Sequence, residues 1–216
     1  MPADFPETNA DKAALYLKAM HEIRARLRCI DGLLAGDMPP LLLHEFCQLQ
    51  LRLVCECLAI ACLAAQGDFE THKVFRERYE PGAIFKALEA LYPGFFPTPS
   101  IMQSTGKGSW HFNDVGHGNP VTRDEIEQIW NLSGCHLHRG SAKRYLQDAQ
   151  DIDLLGVTRA KEKIWNLVQD HMVILSDHVS RFHVSMAREG EEIRCHFLFL
   201  DMESGAARVE SYNART

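Results

Sequence analysis

The stretch from Leu41 to Ala65 limits what this chain can fold into more than any other. It is apolar nearly all round, so as a helix it must lie at the centre of a packed molecule. A membrane span is excluded by its polar interruptions: His44, Glu45, Gln48, Gln50, Arg52 and Glu56 all fall inside it, and ionisable groups at bilayer depth are costly. Glu45, Gln48, Arg52 and Glu56 follow at steps of three, four and four, which makes them one polar stripe on a buried helix. Buried charges need partners. Arg52 and Glu56 can pair at i, i+4, and the stripe either fixes helix register through such a pair or faces a polar pocket.

The neighbouring segments supply helices to surround it. From Asn9 to Ala35, Leu15, Leu17, Met20, Ile23, Leu27, Ile30 and Leu34 recur at helical steps, with Asn9 and Asp11 as capping residues and Gly36 as the stop. The short GDMPP turn then makes the first two helices an antiparallel hairpin. A third helix is expected in two pieces, residues 68–79 and 82–91, broken at Pro81. Residues 93–121 are rich in Gly, Pro and aromatics and read as a loop placed as a lid. Their GKGSW run lacks the spacing of a phosphate-binding P-loop, and no strand is read before it.

The densest chemistry lies between Thr122 and Gly140. Thr122 and Glu125 form a T-x-x-E capping box, and Ile126, Ile129, Trp130, Ser133 and Leu137 share one face of the helix that follows. Ser133 therefore points into the core, with His136 at the border of that face. A short helix over 141–148 and a final long helix from Thr158 to about His178 complete the helical part. Beyond it, FHVSMA, IRCHFLFLD and ARVESY read as two or three short antiparallel strands. The expected fold is therefore mainly α: a bundle of about five long helices over residues 1–180, with a small C-terminal β hairpin or meander over 181–216.

Composition narrows the function classes. A net charge of −6 gives no global attraction to nucleic acid or anionic membrane, although arginines cluster at 24, 26 and 28 and basic residues again at Arg139, Lys143 and Arg144. The first residues lack the basic and apolar regions of a secretory signal. Seven cysteines, four of them between Cys47 and Cys62, form no paired framework. They read as reduced core thiols in a cytoplasmic protein.

Two motifs carry a family resemblance. The R-x-x-x-E of Arg52 and Glu56 on a buried helix, followed by the L-S-x-x-H of Leu132, Ser133 and His136, resembles a bacterial branch of the HEPN-like helical-bundle proteins. HEPN abbreviates the higher eukaryote and prokaryote nucleotide-binding domain, and the resemblance covers about residues 10–180. It implies RNA or nucleotide binding in a defence or toxin-type system, a homodimer, and, in active members, metal-independent ribonuclease chemistry without a cofactor. Carried over, His136 is the general acid or base, and Glu56 positions a phosphate-facing cation. The family places four to six residues between an Arg and that His, and the positions so spaced here hold Asn131, Trp130 and Ile129. Arg52 or Arg139 would have to substitute.

Two other readings stand beside it. A non-catalytic helical bundle would use the same stripe for packing alone and bind a protein partner. Alternatively Cys135 and His138, three residues apart on one helix face, would hold a metal with His111 or His117, although no established zinc spacing is present. Ser133 and Cys135 lie near His136, but there is no G-x-S-x-G elbow to present a nucleophile.

Overall fold

The computed structural model describes residues 8–67, 75, 77–106, 109–113, 118–137, 152–186, 192–200 and 207–213. Helix α1 (Asn9–Leu34) starts at Thr8, whose side chain accepts from the Asp11 N–H while the Asp11 carboxylate takes the Thr8 N–H. This capping box places the cap one residue before the expected one. Helix α2 (Pro40–Gln66) has proline in its first turn and ends on Gly67, whose φ of 69° is the left-handed conformation glycine adopts freely. Lys12 lies against Gly67, and Arg26 donates to Gln50 at 2.9 Å, so α1 and α2 run antiparallel. Tyr16, Met20, Ile23 and Ile30 of α1 and Leu51, Val54, Cys55 and Leu58 of α2 are buried between them and their neighbours. Each large apolar side chain so buried stabilises by about 1.5–3 kcal/mol. Helix α2 is long and apolar enough to cross a membrane, but here it is packed inside the protein.

Helix α3 (Pro81–Leu91) matches the second expected piece of the third helix, while most of 68–79 lies outside the described residues. Helix α4 (Arg123–Leu137) opens on the Thr122–Glu125 box. Helix α5 (Leu154–Val168) begins where the Asp153 side chain caps Gly156 N–H at 2.7 Å. The proposed helix at 141–148 lies outside the described residues.

The mainly-α expectation is overturned by the sheet. Strands β1 (Thr98–Pro99), β4 (Asp170–Ile174), β5 (Arg181–Ser185), β6 (Arg194–Leu200) and β7 (Ala207–Asn213) form one antiparallel sheet in that order. Strands β2 (Ile101–Gly106) and β3 (Ser109–Asn113) pair as a separate hairpin inside the expected loop. The C-terminal half is thus a substantial sheet, not a small appended hairpin, and it recruits residues from before 181. The last helix ends ten residues early. Its Val168 carbonyl, which a continuing helix would offer to the Met172 N–H, accepts instead from His171 Nδ1 at 2.8 Å. The apolar run at 171–175 misleads because β4 is buried on both faces, and such a strand shows no alternation.

One face of the sheet, carrying His171, Phe182, Val184, Cys195 and Phe197, packs on the helices. Tyr16 of α1 sits 6.0 Å from the Phe182 ring and donates its hydroxyl to His171 Nε2 at 2.7 Å. Burial holds the His171 pKa down at about 4, so the ring is neutral, with its proton on Nδ1. The other face presents Met172, His183, His196 and Ser211 in one cross-strand row. Phe112 of β3 lies 5.7 Å from the His183 ring, so the β2–β3 hairpin covers part of this outer face.

Candidate functional site

The sequence motifs on α2 and α4 do meet. The two helices pack antiparallel, and their polar side chains form a continuous seam from Glu56 beside Trp130 to His44 beside His136. At the first end the Arg52 guanidinium lies 3.9 Å from the Trp130 ring centre, its Nη1 reaches the Trp130 carbonyl at 3.4 Å, and its Nε pairs with Glu56 at 3.4 Å. Trp130 Nε1 donates to the same Glu56 carboxylate at 2.8 Å, closing a three-residue ring of contacts. Both charged side chains are only 19% exposed, so each needs the other. Gly134 makes this possible: a Cβ there would stand 2.5 Å from Arg52 Nη1. The absence of a side chain lets the arginine lie against the α4 backbone.

In the middle of the seam Ser133, fully buried, donates to Gln48 Oε1 at 2.8 Å. With its oxygen so used, the Gln48 amide donates through Nε2 to His44 Nε2 at 3.0 Å. The chain of donors therefore runs in one direction, from Ser133 through Gln48 to His44. His44 then meets the ring of His136 edge-on, with centroids 4.7 Å apart. His44 and Gln48 are buried, whereas His136 is half-buried at the seam's edge.

This geometry decides what the seam can do. Ser133 gives its proton to an amide, so no base activates it as a nucleophile. Arg52 is held by a carboxylate, a ring face and a carbonyl, and meeting a phosphate would require it to leave all three. The guanidinium touches α4 at Trp130 and at Gly134, whereas His136 meets α2 at His44, about two helical turns before Arg52.

Of the remaining candidates, Arg139, His138 and His117 lie outside the described residues, and His111 is exposed on β3. Cys135 is exposed. Among the described residues no three His, Cys, Asp or Glu side chains group closely enough to hold a metal ion. A surface cleft of about 400 Å³ between α3 and α4, lined by Phe85, Lys86, Glu89, Arg123 and Glu127, has an Arg123–Glu89 ion pair across it. The residues missed from sequence are His44, which completes the seam, and the sheet histidines His171, His183 and His196. A buried histidine two strands from its partner leaves no local pattern to find. Comparison with protein-family models, curated proteins and solved structures gives no match.

Proposed function

We propose that the protein is a non-catalytic binding module acting in the cytoplasm, with an HEPN-like helical unit whose α2–α4 seam sets helix register rather than performing chemistry. The observation that carries this reading is the Ser133–Gln48–His44 relay, in which the Ser133 hydroxyl and the Gln48 amide each donate to a group inside the protein, in one direction. The Arg52–Trp130–Glu56 ring is closed in the same way. The test is incubation of the purified full chain with single-stranded RNA at low salt, where phosphate contacts are strongest. The expected result is no cleavage, and no difference between wild type and His136→Ala.

The alternative is an RNA- or nucleotide-binding ribonuclease of the HEPN type, with His136 as general acid or base and a homodimer supplying the second half of the site. The half-buried position of His136 at the seam's edge favours it. Cleavage that disappears in His136→Ala, with the fold intact, would establish that reading and remove the first.

A further inference from the structure

Helix α2 is covered on most sides, but one of its faces is open. Leu42, Phe46 and Leu49 are 43%, 46% and 37% exposed, and Leu53, one turn on, is half-buried. They follow at steps of four, three and four and so stand in one row along three turns of the helix. The row points out between its neighbours: α4 takes the side of His44, Gln48, Arg52 and Glu56, and α1 the side of Gln50. The outward face of a helix in a soluble protein ordinarily carries polar residues. A contiguous apolar row in that place marks a surface that meets another protein.

The spacing identifies the partner. A row stepping four, three, four reads the same from either end. A second α2 laid antiparallel, about a two-fold axis between Cys47 and Gln48, therefore matches it throughout: Leu42 faces Leu53 of the second copy, Phe46 faces Leu49, and each contact occurs twice. Alternating steps of three and four are also those by which two helices pack side by side. The row is bounded alike at both ends, by Pro39 and Glu56, the next positions at that spacing, which mirror each other about the same axis. Charge agrees. Glu45 and Arg52 lie seven residues apart along the edge of the row toward α4. Reversal sets Glu45 opposite position 50 of the second copy, two residues, or about 3 Å along the axis, from its Arg52. A parallel pair in register would instead set Glu45 on Glu45 and Arg52 on Arg52, which like charges oppose.

We propose that this row is the interface of a homodimer in which α2 packs antiparallel on α2 of a second copy. The seam takes no part in it. Phe46 points away from His44, two residues before it, and His136 stands against His44, so the dimer leaves both His136 side chains outside the interface. A face of three turns is small beside the about 1,600 Å² of a standard interface, which puts the expected dissociation constant in the micromolar range.

The experiment is sedimentation of the full chain from low to high micromolar concentration. Wild type is expected to pass from monomer to dimer. Phe46→Lys and Leu49→Glu are each expected to weaken the dimer about a hundredfold, because each change enters the interface twice, with the circular dichroism unchanged. Mixed in equal amounts, the two variants are expected to associate again: their new charges face each other, while the other Phe46–Leu49 contact stays native. The proposal is overturned if wild type stays monomeric, which would leave the row to a different protein. It is overturned equally if the dimer survives Phe46→Lys, which would place it on another surface, or if the mixture fails to pair, which would exclude the antiparallel register. Leu42→Lys, at the start of the helix, repeats the test should Phe46→Lys fail to fold. Sedimentation reads the row alone, whatever the seam does to RNA.

Discussion

Replacing Ser133 by alanine leaves the Gln48 carbonyl oxygen buried without a donor, which costs about 1–3 kcal/mol of stability. Chemical denaturation of Ser133→Ala measures this. A double change with Gln48→Leu is expected to recover little of the loss, because it takes from buried His44 Nε2 the donor it has in Gln48 and so moves the stranded group along the seam. Gly134→Ala tests the other end of the seam: the added methyl displaces the mobile end of Arg52, while alanine gains about 1 kcal/mol of helix propensity. The two effects oppose each other, so stability is expected to change little while Trp130 fluorescence shifts as the guanidinium leaves its ring. His171 sets a pH dependence. Its folded pKa of about 4 lies below the unfolded value near 6.5, so the unfolded chain binds the proton first as pH falls. The stability it contributes is complete above about pH 6.5 and declines by about 3 kcal/mol as pH drops to about 4. Urea midpoints across this range are expected to fall in wild type and to fall less in a Tyr16→Phe, His171→Leu pair.

At the scale of elements, what could be read from the chain was what is local. The capping box at Thr122 and Glu125 spans three residues and forms as its spacing requires, with the Thr122 N–H donating to Glu125 at 2.9 Å. Removing it by Thr122→Ala is expected to lower stability by about 1 kcal/mol, measured by thermal or chemical unfolding. The 3.6-residue period likewise located α1, α2, α3 and α4, and placed Arg52 with Glu56 and Ser133 on inward faces. Which partner each would take was beyond such spacing, because Arg52 meets Trp130, and Ser133 meets Gln48, across about eighty residues of chain. Strand β4 was hidden for a different reason. Val173 and its neighbours are buried on both sides, so their apolar run fits a helix as well as a strand until pairing with β1 and β5 settles it. The hairpin of β2 and β3 was obscured by the glycines and prolines around it.

At the scale of the whole molecule, the seven cysteines are all free and sort by depth. Cys29 and Cys135 are exposed, whereas burial raises the Cys47 thiol to about 11, the Cys57 thiol to about 12, and those of Cys55, Cys62 and Cys195 further still. A thiol reagent at neutral pH is therefore expected to label two cysteines promptly in the native protein and all seven in denaturant. Prompt labelling of more than two would show that the core around α2, or the sheet face that carries Cys195, opens readily.

The join between β1 and β4 also dictates an order in time. Pro99 and His171 are roughly seventy residues apart, while a turn of a few residues links β4 to β5. Closing the longer loop costs about 2 kcal/mol more in chain entropy. The meander from β4 to β7 can thus assemble early, and β1 must arrive after it, bringing Ser100 to His183 and the hairpin over the outer face. That face is the last surface to be completed on refolding, and the two-residue strand that secures it is the first place from which the sheet would come undone.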